Sequence, residues 1–168
     1  SEVVSVLRHE DTPDTYREVT HGDEAIKPQS VTASAYTNGS EAPAKACDGD
    51  VTTKWCDNAQ GVRWLEYRFA KPMTVTGWKV TNAGCEGDGK IGSAYCLQRF
   101  TEGGWVDVER VTDNADNVTD FVLQHPFVSE GVRLRVVKAE QGGNGAARVY
   151  EFTVYGHEPE EADYGVPQ

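Results

Sequence analysis

The chain has 168 residues, enough for one domain with flanking segments. Seventeen glycines, a single methionine and many Val, Thr, Tyr and Trp residues exclude a helical bundle and predict strands joined by turns. The net charge of −11 sits at the ends. Residues 1–24 hold seven acids and two arginines, and residues 157–168 hold four acids and no Lys or Arg, so the interior is nearly neutral and offers no basic stripe for a nucleic acid.

No segment approaches the roughly 18 apolar residues of a membrane span, and no signal peptide is expected within these 168 residues. The expectation is a soluble chain without membrane insertion, either a mature form or a fragment of something larger. The acidic, Pro-containing ends read as solvated segments: a flanking stretch over 1–29 and an acidic linker over 157–168, around a domain at 30–156.

Val3-Val4-Ser5-Val6-Leu7 predicts a short first strand. Val31 to Tyr36 is strand-like and ends at the Asn38-Gly39-Ser40 turn. From Val62 to Phe69 the pattern alternates, with Leu65, Tyr67 and Phe69 on one face and Glu66 and Arg68 on the other, which predicts a half-buried strand. Val75–Val80 repeats it. Tyr95–Phe100 and Trp105–Val111 flank Thr101-Glu-Gly-Gly104 and predict a hairpin. Thr119–Leu123, Val132–Val137 and Val149–Tyr155 complete about eight strands, the pattern of a sandwich or jelly roll.

Cys47, Cys56, Cys85 and Cys96 are even in number and contain no CxxC, which argues against a zinc–thiolate site. Two disulfides in an exported protein are expected. All three pairings remain open; Cys47–Cys56 with Cys85–Cys96 would staple two loops.

The densest chemical signal is Ala44-Lys-Ala-Cys-Asp-Gly-Asp-Val-Thr-Thr-Lys-Trp55. Two acids around a glycine, followed by threonines, gather carboxylate, hydroxyl and carbonyl oxygens in one turn, the donor type that calcium prefers. The spacing does not follow the EF-hand loop, and an ordinary Asp-Gly turn looks similar.

Ala46-Cys-Asp-Gly-Asp-x-x-Thr53-Lys-Trp55 is followed in order by Trp64-Leu-Glu-Tyr-x-Phe69, Val80-Thr-Asn-Ala-Gly84, Trp105 after Gly103-Gly104, Arg133-Leu-Arg-Val136 and Ala147-Arg-Val-Tyr-Glu-Phe-x-Val-Tyr-Gly156. This succession, covering about residues 30–156, resembles the discoidin-like domains of the coagulation factor V/VIII C type, and most of all the bacterial family 32 carbohydrate-binding modules. The resemblance implies an all-β protein, an antiparallel β-sandwich with an eight-stranded jelly roll, and one structural calcium ion. By position, Asp48 and Glu151 would supply carboxylates, Thr53 its hydroxyl and carbonyl, and Lys45, Asp50 and Tyr150 carbonyl oxygens. An acid in the last strand beside an early acidic loop would repel it without a cation.

Family 32 modules bind sugars with loops at one end of the sandwich. The corresponding segments here are 36–41, 55–61, 83–93 and 141–147, with Tyr36, Asn38, Trp55, Asn82, Glu86, Asp88, Lys90 and Asn144 as candidates. Tyr36, at a strand end before Asn-Gly, is the best exposed aromatic. Trp55 has a competing role as a wall of the acidic loop, Asn82 as the cap of a glycine turn, and Glu86, Asp88 and Lys90 as solvated loop charges. Trp64, Trp78 and Trp105 are assigned to packing. The chain departs from many relatives in having Asn82 where they have His, Ile91-Gly-Ser-Ala94 before the next strand, and no aromatic in 141–146.

The function expected from the resemblance is a non-catalytic, monomeric module, secreted or at the cell surface. It would carry a larger glycan-active enzyme to galactose-, GalNAc- or GlcNAc-containing glycans. A spacer without ligand is the main alternative. A lipid- or protein-adhesion role fits the polar, glycine-rich loops less well. Catalysis has little support: there is no G-x-S-x-G or HExxH, and His9, His21, His125 and His157 are scattered.

Overall fold

The computed structural model describes Ser5–Arg8, where only the backbone is considered, and residues 19–140 and 145–164. Ten strands are present among these: β1 (Ser5–Arg8), β2 (Glu24–Ala25), β3 (Ser30–Ala33), β4 (Trp55–Asp57), β5 (Arg63–Thr81), β6 (Ala94–Thr101), β7 (Gly104–Thr112), β8 (Val118–Lys138), β9 (Ala147–Val149) and β10 (Glu151–His157). A single short helix, α1 (Glu161–Tyr164), follows.

β5 and β8 are long because each serves two layers. Their mutual register shifts between Arg68 and Met73 and again between Val75 and Gly77, and the halves on either side of these irregularities pair with different neighbours. In the first layer β3 pairs with the start of β5, which pairs with the end of β8, then β6, then β7. The second layer contains the start of β8, the end of β5 and β10. Five and three main strands make up the expected antiparallel eight-stranded sandwich. β1 joins the edge of β7 in parallel, and β4 pairs with β9 in a small separate ribbon. Val62–Phe69 and Val75–Val80, expected as separate strands, thus belong to one bent strand, as do the two segments of β8.

The alternation in β5 places Leu65 and Tyr67 inward at 0% and 1% exposure, and Trp78 and Val80 from its second half are fully buried. Each such side chain contributes roughly 1.5–3 kcal/mol on burial. Across the layers, Tyr67 packs on Phe152 at 4.8 Å, and Trp78 meets Tyr95 edge-on at 6.1 Å. Buried polar atoms on these rings are paired, as burial demands. Tyr67 Oη donates to the carbonyls of Phe152 (2.6 Å) and Ala46 (3.1 Å), which ties the early acidic loop to β10. Trp78 Nε1 donates to the buried Glu109 carboxylate at 2.6 Å. Glu66 lies on the outer face, as its alternation requires, yet is buried beneath Arg68 and Arg133, both of which donate to it.

The segments outside 30–156 make specific contacts. β2 pairs with Tyr155 and Gly156, and the His21 ring stacks on Tyr155 at 3.6 Å. His157 lies between Asp23 (2.9 Å) and Asp163 (3.1 Å), and Thr74 donates to Asp163. Gly156 sits at the β10 irregularity, where a Cβ would come within 2.0 Å of the Thr74 carbonyl.

The expected disulfides are absent: all four cysteines are free. Cys96 is buried and turned towards Asp107 on β7, whereas Cys85 faces the Tyr150 hydroxyl, so the two thiols have different partners. Cys47 donates to the Ala44 carbonyl, and Cys56 is buried in β4.

Candidate functional site

The acidic loop begins in a 3₁₀ turn, Pro43–Cys47, opened by a proline whose fixed φ suits the first helical position. It continues into Asp48 and then Gly49, whose φ of +74° is favoured only by glycine-like residues. Asp48 accepts from the Asp50 N–H (3.0 Å) and from the Thr53 hydroxyl (2.5 Å). Glu151, at the start of β10, accepts from the Gly49 N–H at 3.0 Å. The early turn and the last strand therefore meet.

Burial, then the hydrogen bond and negative charge of Asp48, hold the Glu151 carboxyl up to about 8. The two carboxyl groups can share the space only with a proton or a cation between them. Among the described residues no three His, Cys, Asp or Glu side chains converge as a metal site. A cation here would be held largely by hydroxyl and carbonyl oxygens, a donor set that suits calcium and not zinc. Asp48, Thr53 and Glu151 fit that role by position; Asp50 presents its carbonyl to Thr53 Oγ1 at 3.2 Å. Lys45 lies in the 3₁₀ turn that leads into the loop, and Tyr150 directly precedes Glu151.

A second cluster lies at the end of the sandwich formed by β4, β9 and the 3₁₀ turns Gly39–Glu41 and Gly84–Glu86. Asn38 caps the first of these turns: its Oδ1 accepts from the Ser40 N–H at 2.9 Å. Lys54 Nζ bridges Glu41 (3.1 Å) and Glu86 (2.8 Å), pulling the two turns together. Tyr150 donates its hydroxyl to Glu86, and Lys54 sits 5.6 Å from the centroid of the same ring. Arg148 on β9 reaches both Glu140 and Glu86.

The charges support one another. The Thr37 hydroxyl, and then Lys54, hold Glu41 below its ordinary range against the opposing effect of burial. Burial would raise Glu86, but bonds from Lys54 and Tyr150 outweigh it. Burial also opposes the Lys54 charge, and the two carboxylates overcome it. Burial and the Glu86 hydrogen bond push the Tyr150 hydroxyl well up, so it remains a donor. The cluster thus gathers partly exposed carboxylate acceptors and cationic donors over a buried Tyr150 ring, groups of the kind that hydrogen-bond vicinal hydroxyls.

The sequence candidates divide. Tyr36 is 53% exposed and directly precedes Thr37, whose hydroxyl donates to Glu41 of the cluster, and Asn38 and Glu86 belong to the cluster itself. Asp88 and Lys90 form the next 3₁₀ turn, Asp88–Lys90. Trp55 is corrected from candidate ligand platform to wall: it is fully buried, and its Nε1 donates to the Ala35 carbonyl at 2.9 Å. Asn82 is corrected likewise. At 2% exposure its amide is used by Tyr95 Oη, the Asn117 carbonyl and the Gly92 N–H, which fixes the 84–92 loop from below. Asn144 lies outside the described residues. Thr37, Glu41, Lys54 and Arg148 were not singled out in the sequence, although Lys54 and Arg148 sit inside the quoted motifs and Glu41 ends the first loop.

Among the described residues no helix is long and apolar enough to cross a membrane. No curated protein sequence matches the chain significantly. Solved structures do. The family 32 carbohydrate-binding module of Streptococcus pneumoniae EndoD is 29% identical, covers 81% of this chain and 100% of its own, and superposes with a TM-score of 0.66. The family 32 module of C. perfringens NanJ, solved in complex with galactose, is 22% identical over 78% of this chain and 97% of its own, with a TM-score of 0.65. Chitosan-binding module 1 of a chitosanase/glucanase from Paenibacillus sp. IK-5 is 21% identical over 81% of this chain and 100% of its own, with a TM-score of 0.66. The F5/8 type C domain profile matches residues 30–152, most of the domain whose two layers are described above, and the chain belongs to that family.

Proposed function

We propose that the protein is a non-catalytic carbohydrate-binding module that uses the Tyr36–Lys54–Glu86–Tyr150 end of the sandwich to bind galactose-, GalNAc- or GlcNAc-containing glycans. The observation that carries this reading is Lys54. Its ammonium draws two loops from distant parts of the sequence, through Glu41 and Glu86, into one polar surface beside an exposed tyrosine. Sugar-binding modules are also what the EndoD and NanJ structures contain.

Few groups are desolvated at so shallow a surface, so affinity in the micromolar to millimolar range is expected. Attachment to a larger secreted glycan-active enzyme would turn weak binding into a high local substrate concentration. A calcium ion between Asp48 and Glu151 would be structural, holding the first loop to the last strand. The module would act as a monomer outside the cell.

A glycan array followed by titration calorimetry tests the reading. It predicts saturable binding to one of the galactose, GalNAc or GlcNAc classes, weakened at least tenfold by Tyr36→Ala combined with Lys54→Ala. Silence across all classes would favour a spacer without ligand.

A further inference from the structure

On the first layer the outward side chains of four neighbouring strands fall into rows. The register aligns Glu66, Arg133, Gln98 and Asp107 across β5, β8, β6 and β7. The flanking row aligns Trp64, Arg135, Cys96 and Arg110. Beyond Glu66, Arg68 stands on β5, and Phe100 faces Trp105 at the β6–β7 hairpin. At about 4.8 Å per strand spacing the surface is roughly 14 Å wide. It carries Arg68, Arg110, Arg133 and Arg135 against Glu66 and Asp107, a positive excess on a chain of net charge −11.

The rings and guanidinium groups alternate. The Arg133 guanidinium carbon lies 3.8 Å from the Trp64 centroid and 4.6 Å from that of Trp105; the Arg68 carbon lies 5.3 Å from Trp105 and 4.6 Å from Phe100. Glu66 orients both cations through one edge each. Its Oε1 accepts from Arg133 Nε at 2.8 Å, and its Oε2 accepts from Arg68 Nε at 2.7 Å. Among the described residues these are the hydrogen bonds that either guanidinium makes, and towards those residues the terminal Nη groups keep their donors. Arginine stacked on a ring and fixed at Nε is prepared to receive a carboxylate at its remaining edge.

We infer that this outer sheet face is a second glycan-binding surface, separate from the loop end, that takes a uronate-bearing polysaccharide along the Trp64–Arg133–Trp105–Arg68–Phe100 strip. A uronate chain combines the two chemistries that the strip alternates: apolar C–H ring faces for the aromatics and carboxylates for the guanidinium edges. A nucleic acid is equally anionic but offers flat bases in place of pyranose C–H faces and tetrahedral phosphates in place of planar carboxylates, and the poly(U) arm of the test separates the two. Glu66 is a positioning residue in this surface, acting through the two arginines.

The test is affinity electrophoresis and calorimetry of the whole chain with polygalacturonate at 50 mM and 300 mM salt, against dextran, chondroitin sulfate and poly(U). Polygalacturonate should retard the protein at low salt and less at high salt, because the charged contacts are exposed to screening. Dextran, chondroitin sulfate and poly(U) should each bind at least tenfold more weakly. Arg68→Gln with Arg133→Gln should weaken polygalacturonate binding at least tenfold. Arg68→Lys with Arg133→Lys preserves the charge beside Glu66 and guards against misfolding; with Tm retained, it should still lose at least fivefold, since lysine lacks the planar fork. Tyr36→Ala should leave this binding unchanged, which separates it from the loop-end site. No retardation of the wild type, stronger binding to poly(U) or chondroitin sulfate, or full binding by either double variant would overturn the inference.

Discussion

The Gly49 N–H donates to the Glu151 carboxylate at 3.0 Å across 102 positions of sequence, so the opening loop and closing strand of the domain share one contact. Burial and the Asp48 carboxyl beside it raise the Glu151 carboxyl to about 8, and a bound cation, as proposed above, would relieve the repulsion between the two. Calcium at a hundredfold excess over its dissociation constant would add about 2.7 kcal/mol. For a chain of this size that is a rise in Tm of roughly 5–10 °C. Chelator should reverse the rise, and Asp48→Ala or Glu151→Ala should abolish the response, as followed by calorimetric melting. A wild-type Tm unaffected by both calcium and chelator would remove the cation from the account.

Gly156 tests the packing of β10 against the second half of β5. A Cβ there would collide with the Thr74 carbonyl, which is backbone within a paired strand and can move only with its neighbours. Gly156→Ala is expected to cost about 2–3 kcal/mol, in the range of overpacked cores. Urea unfolding gives the value, and a loss under 0.5 kcal/mol would mean that the strands separate easily.

Tyr36 and Asn82 should respond oppositely. The exposed Tyr36→Ala should leave stability within about 0.5 kcal/mol while weakening glycan binding. Asn82→Ala strips partners from buried groups and should cost about 1–3 kcal/mol. Paired melting and binding titrations distinguish the two. Equal stability losses would contradict the division between wall and surface.

His157 makes the junction of the two ends dependent on pH. The Asp23 hydrogen bond, and then that of Asp163, raise His157 above its ordinary value, while both aspartates are lowered. The histidine's contribution is complete below its unfolded value of about 6.5 and is lost as pH rises through its folded value. That of the aspartates is present above their unfolded value of about 3.9 and is lost as pH falls through their folded values. The junction should therefore be tightest between about pH 4 and 6.5. Hydrogen exchange at residues 19–25, measured with saturating calcium, should quicken more than its intrinsic pH dependence between pH 6 and 8. His157→Gln should flatten this excess; an equal excess in the variant would assign it elsewhere.

Much of the fold was legible because its signals are local. The alternation of Leu65, Tyr67 and Phe69, the glycines of the β6–β7 hairpin and the apolar period of β10 each need only a few neighbouring residues to be read. The Asp48–Glu151 meeting was legible through the ordered motifs. Other features depend on partners supplied by distant strands. Glu66 reads as an exposed strand acid until Arg133 arrives from β8, and Lys54 reads as a solvated charge until Glu41 and Glu86 converge on it. For Trp55 and Asn82 the sequence left a ligand role and a structural role both open, and the structure selects the structural one, since burial depends on which loops close above a side chain. The free thiols belong here too: an even count of cysteines says nothing about where their Cβ vectors point.

The most direct test of the central claim is to titrate the isotopically labelled chain with galactose-, GalNAc- and GlcNAc-containing oligosaccharides and map the amide shifts. Fast-exchange shifts confined to residues 36–41, 54–58, 84–90 and 145–150 are the predicted result. Shifts centred elsewhere, or none with any of the sugars at millimolar concentration, would contradict it.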